Sequence, residues 1–179
     1  MDGIHIQGPA SDGLIYNIIG NANDDHVALC ANGTTRSAIS HGAIENVTID
    51  GVYCDNGYTG VRLLSRGDPV RNICVTNIRG SFRYFALSFT HHYPLRDDMP
   101  VLIENVTAEN LFIDKTMQAI ERDMANRKSV RPLIWVEDGV HCKNVSLKNV
   151  VLGDNIKTAA VRELVIDENA TTENFIYQK

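Results

Sequence analysis

In the stretch Asn23-Asp24-Asp25-His26, two adjacent carboxylates stand directly before the strand-like run Val27-Ala28-Leu29. One Asp before a strand is ordinary turn chemistry, because its side chain bonds its own backbone and tolerates unusual dihedrals. Two in a row repel each other, so the pair reads as a turn, a metal site or an acid–base pair. A third carboxylate, Asp2, precedes Gly3-Ile4, 22 residues before Asp24. Carboxylates crowded together push one pKa upward, which keeps one of them protonated near neutral pH. His26 is a third polar group beside the pair or simply an alternating strand residue. The run His91-His92-Tyr93-Pro94-Leu95-Arg96-Asp97-Asp98 also holds metal-ligand types. Adjacent histidines point apart on an extended chain and no i, i+4 spacing exists, so a solvated loop is the better reading. No metal and no other cofactor is expected.

The elements that must position these groups follow from an internal repeat. Five segments begin at Asp12, Asn46, Asn72, Asn105 and Asn144, in steps of 34, 26, 33 and 39 residues. Each runs from Asn (once Asp) through alternating apolar and polar residues to Asn or Gly five places on, as in Asn46-Val47-Thr48-Ile49-Asp50-Gly51. Period-2 alternation is a strand signal. A second short strand accompanies each unit: Val27–Leu29, Val61–Leu64, Phe85–Phe89 and Leu133–Val136. Several short strands per repeat, separated by Gly and Asn, predict the coils of a right-handed parallel β-helix. Like positions then stack about 4.8 Å apart. The recurrent Asn is expected at turns, its amides bonded from coil to coil in a ladder. That accounts for three of the five N-x-S/T sequons, at Asn32, Asn46, Asn105, Asn144 and Asn169.

One segment interrupts the repeat. Residues 115–131 show no alternation, and Met117, Ile120 and Met124 fall on one helical face. This predicts a short helix packed on the barrel wall, with a flap over a cleft as the alternative. The four cysteines, Cys30, Cys54, Cys74 and Cys142, have neither CxxC nor ligand spacing and read as buried thiols. A 44% hydrophobic and 22% charged composition is that of a soluble globular chain. The net charge of −5 leaves no basic stripe for nucleic acid. No apolar run reaches the length of a membrane span, and Met1 is not followed by a signal-peptide pattern.

The order Asp2-Gly3-Ile4, then Asn23-Asp24-Asp25, resembles the polygalacturonases and their relatives, glycoside hydrolase family 28 of the pectin-lyase-like β-helix superfamily. That family carries an Asn-Thr-Asp-Gly strand, then a Gly/Gln-Asp-Asp strand one coil later, then Gly-His-Gly and Arg-Ile-Lys. The resemblance implies that Asp24 protonates the leaving oxygen while Asp2 and Asp25 hold and deprotonate the attacking water. Inverting hydrolysis of this kind sets acid and base about 6.5–9.5 Å apart. The chain departs from the pattern in Gly57-Tyr58-Thr59-Gly60, where Thr59 stands in place of the His, and in Phe85-Ala86-Leu87-Ser88, where Arg-Ile-Lys would fall. His41-Gly42 precedes the Asn46 strand and so belongs to another side of the coil.

The expectation is therefore an all-β chain: one β-helix domain, residues 1–179, of about five to six coils, forming a C-terminal portion of a longer helix. Missing N-terminal coils or a partner subunit would cover its open end, since bare strand edges invite pairing. The expected partner is a polysaccharide or oligosaccharide. Candidate catalytic residues are Asp2, Asp24 and Asp25. Candidate substrate contacts are His26, Tyr58, Arg62 and Arg66, with Tyr84, Tyr93 and Trp135 as further rings able to stack on sugars. Family resemblance implies a secreted or cell-surface location. A non-catalytic carbohydrate-binding or tailspike-like module is the second reading. A uronate lyase or epimerase, which needs a base beside the acidic sugar carbon, is the third.

Overall fold

A computed structural model describes residues 1–32, 40–91, 99–158 and 161–179. Among these residues, twelve strands alternate between two six-stranded sheets, and every strand pairing is parallel. The odd strands are short: β1 (Ile4–Gln7), β3 (Asp25–Cys30), β5 (Thr59–Leu64), β7 (Leu87–Thr90), β9 (Ile134–Val136) and β11 (Leu164–Ile166). The even strands are longer: β2 (Ala10–Ile19), β4 (Ile44–Gly57), β6 (Val70–Phe82), β8 (Val101–Lys115), β10 (Val140–Leu152) and β12 (Thr171–Tyr177). Each sheet keeps chain order, so every successive pair of strands stacks on the pair before it. No helix among the described residues is long and apolar enough to cross a membrane.

The repeat residues bend the long strands. Asp12, Asn46, Asn72, Asn105 and Asn144 all take positive φ between 53° and 58°, and so does Asn174 (53°), a sixth member in β12. Asn17, Asn77, Asn110 and Asn149, the residues five places on, do the same, and Gly51 takes their place in β4. A left-handed residue turns an extended chain sharply, and Asn tolerates it better than other residues with a Cβ. The expected ladder is present. Asn46 donates to Asp12 (3.0 Å), Asn72 to Asn46 (3.0 Å), Asn105 to Asn72 (3.0 Å), Asn144 to Asn105 (2.9 Å) and Asn174 to Asn144 (2.9 Å). A second row runs Asn149 to Asn110 (2.7 Å), Asn110 to Asn77 (3.4 Å) and Asn77 to Asp50 (2.6 Å).

One apolar core lies between the sheets. The short strands contribute Val27, Leu29, Val61, Leu63, Leu87, Phe89, Ile134 and Val136; the long ones contribute rows such as Ile49, Val75, Ala108 and Leu147. Alternation accounts for this directly, since residues i and i+2 of a strand share a face. The four cysteines are free thiols, and burial pushes Cys30 up to about 11 and Cys54 and Cys142 up to about 12.

The interruption at 115–131 contains the expected short helix, α1 (Met117–Ala125), started by Thr116, whose hydroxyl accepts from the Ala119 N–H. Its buried face is Ala119, Ile120 and Asp123, while Met117 and Met124 are exposed. The methionine stripe read from the sequence is thus not the packed one. Asp123 turns inward, and the Arg122 guanidinium is 2.8 Å from its carboxylate. A second short helix, α2 (Asp154–Thr158), carries no sequence signal like that of α1.

Candidate active site and the cleft beside it

Asp2, Asp24 and Asp25 meet at the edge where β1 pairs with β3. One carboxylate oxygen from each lies within 4.8 Å of those of the other two. The backbone sets this up. Gly3 N–H donates to the Asp25 carbonyl (2.9 Å), and Asp25 N–H donates to Asp2 Oδ1 (3.3 Å). A Cβ on Gly3 would stand 2.7 Å from the His26 carbonyl oxygen, so only glycine lets the chain bring Asp2 this close. Asp2 Oδ2 also lies 2.6 Å from His5 Nδ1.

The grouping is tighter than the separation expected of two carboxylates flanking a bond and a water. Asp25 is its most buried member, at 4% exposure. Burial raises its pKa, the Arg62 guanidinium at 3.5 Å opposes that, Asp24 adds to it, the Thr59 hydroxyl lowers it, and Asp2 raises it again. The net shift is upward. Asp25 Oδ1 is buried without a hydrogen bond among the described residues.

The other expected site residues divide. Arg62 lies in the cleft, its Nε donating to Thr90 Oγ1 (2.9 Å). Tyr58 lies there too, stacked on Tyr84 with ring centroids 4.3 Å apart. Its phenol is pushed up to about 12, chiefly by burial, then by Tyr84, Asp24 and Asp25. His26 is only 1% exposed. Its Nδ1 faces the Thr59 carbonyl (2.8 Å), and its Nε2 faces the Gly20 carbonyl (2.9 Å) and the Ala22 N–H (3.2 Å). A ring engaged this fully by main chain braces the wall, and its edge lines a shallow pocket beside Asp2. Arg66 is likewise 1% exposed and lines neither cleft described here, so it offers no surface cation. Tyr93 and the 92–98 part of the His-Asp run lie outside the described residues.

The neighbours of Asp25 lead into a cleft of about 270 Å³ across the outer face of the short-strand sheet. Its floor is an aromatic strip: Tyr58 on Tyr84, Tyr84 beside Phe85 (5.9 Å), and Phe85 stacked on Trp135 (4.8 Å). Trp135, whose direction alternation could not give, faces outward and donates Nε1–H to Asp167 Oδ2 (3.0 Å). Glu137 is buried at the far side, its Oε2 accepting from the His91 N–H (2.9 Å). Burial raises its pKa against the pull of that bond and of His91 and Arg62.

Sharing Tyr84, Arg131 and Trp135 with this cleft is a second, more open pocket of about 550 Å³. Arg122, Lys128, Arg131 and Arg162 stand around it. Behind its wall Lys115 is fully buried and donates to the Tyr84 carbonyl. Desolvation lowers its pKa to about 7, against the attraction of Asp123, and Arg122 and Arg131 lower it further. Sequence reasoning missed Glu137, Lys128, Arg131, Arg162 and Lys115. The one signal that could have pointed to most of them was the break in the repeat at 115–131, because an insertion that spoils a stack has to be held by something else. No family model, curated protein or solved structure matches this chain.

Proposed function

We propose that the chain is a right-handed parallel β-helix that hydrolyses a glycosidic bond in a polysaccharide, using Asp2, Asp24 and Asp25. The convergence of three carboxylates, with Asp25 against Arg62 and Thr59 of an aromatic-floored cleft, carries this reading. Sugar rings have apolar faces that pack on tyrosine and tryptophan, and Tyr58, Tyr84 and Trp135 line the cleft. Hydrolysis needs one carboxylic acid to protonate the leaving oxygen and one carboxylate to take a proton from the attacking water. The upward shift at Asp25 makes it the member that holds the proton, in place of Asp24, and the less buried Asp24 and Asp2 then hold the water. Substituted groups on the sugar would meet Arg62 and Glu137 along the cleft.

Reducing-sugar release from acidic and neutral polysaccharides, comparing wild type with Asp24→Asn and Asp25→Asn, tests it. Release that disappears in both variants, with an alkaline limb above the ordinary Asp range, is expected. No release from any substrate ends the hydrolase reading. The second reading, a β-helix that binds glycan without cleaving it, draws on His26 being walled in and on Thr59 occupying the neighbouring strand position.

A further inference from the structure

The open pocket between α1 and β11 carries a charge pattern that the trio does not explain. Arg122, Lys128, Arg131 and Arg162 face it with only two acids, Asp123 and Asp167. Both acids are engaged, Asp123 by Arg122 and Asp167 by the Trp135 indole N–H. Lys128, Arg131 and Arg162 make no ion pair among the described residues. Two positive charges are therefore in excess at this spot, on a chain whose net charge is −5. Arg131 is held in place by rings, its guanidinium carbon 5.7 Å from the Tyr84 centroid and 5.8 Å from that of Trp135.

We propose that this pocket binds a tetrahedral oxyanion, a sulfate or phosphate ester borne on a sugar ring lying beside Trp135. The cations come from separate directions, Lys128 and Arg131 from the segment after α1 and Arg162 from the turn before β11. A carboxylate has two coplanar oxygens, which one guanidinium fork satisfies. An ester of sulfate or phosphate presents three terminal oxygens and can use all three cations together. The Ser129 hydroxyl, on the same rim, adds a neutral donor. The site needs no bond cleavage, so it holds for a catalyst and for a binding module alike.

Trp135 is the chain's single tryptophan, so its fluorescence reports the site directly. The titrants are a sulfated glycosaminoglycan oligosaccharide, its unsulfated uronate counterpart, a sugar monophosphate and inorganic sulfate, all at about physiological salt, where loose surface attraction is screened. The sulfated oligosaccharide or the sugar phosphate is expected to bind at least ~10-fold more tightly than the uronate chain. Arg131→Gln/Arg162→Gln should cost that ligand ~10- to 100-fold, and Lys128→Gln less. Arg79→Gln, an exposed cation over Phe112 on the other sheet, should change nothing. Circular dichroism and the thermal midpoint verify that each variant is folded. Equal affinity for the uronate chain, binding that survives the double substitution, or the same loss with Arg79→Gln would each overturn the proposal. Because the readout is binding, a failed hydrolysis assay leaves it standing, and its own failure leaves the Asp trio untouched.

Discussion

The asparagine corners and the cleft face are built on the same stacked strands, yet they use the stack in opposite ways. At the first corner the row reads Asp12, Asn46, Asn72, Asn105, Asn144, Asn174, one chemistry repeated until each amide bonds the next. Across the short-strand sheet, one hydrogen-bonded row reads His5, Ala28, Arg62, Ser88, Trp135, Val165. No two of these are alike. Parallel stacking brings like positions together at every level, so a repeated residue is what the scaffold needs for itself. A row that changes residue at every level gains nothing from stacking, and its differences point to something outside the chain.

The sharpest way to break this contrast is to compare one residue from each side by rate. Asp25→Asn should lower glycan cleavage by ~10²- to 10⁴-fold, the usual worth of a positioned acid or base. Asn105→Gly should leave the rate within about twofold. Comparable losses from both would mean that the corners and the cleft are not separable. The pH profile adds a sign: if the raised Asp25 supplies the proton, as proposed, activity falls as pH climbs through its folded pKa. Arg62→Gln removes the cation that opposes this shift and should move the alkaline limb to higher pH.

Stability should show the reverse ranking. Asn105→Ala keeps a positive φ that a Cβ disfavours and removes an amide bonded on both sides, to Asn72 and Asn144. The conformational part costs about 1–2 kcal/mol and the two exposed bonds together about 0.5–1.5. A loss of about 1.5–3.5 kcal/mol in chemical denaturation is therefore expected, against little for Asp25→Asn. An unchanged midpoint would make the ladder ornamental.

The same logic explains how far the sequence could be read. The corners were legible because identity recurred: Asn46, Asn72, Asn105 and Asn144 could be aligned by eye, and their conformation followed from what Asn tolerates. Asn174 escaped because its strand opens Thr171-Thr172-Glu173, without the apolar alternation of the others. Asp2, Asp24 and Asp25 were legible because a family resemblance singled them out and strand stacking brings residues one repeat apart together. Their tightness was not, since it depends on the Gly3–Asp25 hydrogen bond and on the space Gly3 leaves. The face of α1 was misread because Asp123 is packed inward, where a carboxylate is tolerated through Arg122. The Arg131–Trp135 region was hidden by chain geometry: no local period links residue 84 to 131 or 162.

Strand β8 belongs to both regimes, with Asn105 and Asn110 at its corners and Lys115 at its cleft end. Lys115 therefore gives a stability signature that the corners lack. Its pKa falls from 10.5 unfolded to about 7 folded, so between those values the unfolded chain binds more protons. The Lys115 contribution to stability should then rise from about pH 7 with a limiting slope of ~1.4 kcal/mol per pH unit, until near pH 9 the unfolded thiols ionise while Cys30, Cys54 and Cys142 stay protonated and the trend reverses. Lys115→Met should remove that slope and be more stable than wild type at pH below about 7. A slope that persists in Lys115→Met would assign it to another group.

The smallest effect separates the two parts of the ladder's contribution. Asn105→Gly accepts the positive φ without strain, so only the amide's bonds to Asn72 and Asn144 are lost, along with some backbone entropy. The amide is exposed, and water replaces part of what is lost, so about 0.5–1.5 kcal/mol is expected. The difference between the Ala and Gly variants then measures conformation alone. If Gly costs as much as Ala, amide bonding rather than dihedral tolerance is why Asn recurs. If Gly costs nothing, the corners need only a residue that turns, and the row of amides is a consequence of stacking rather than a cause of it.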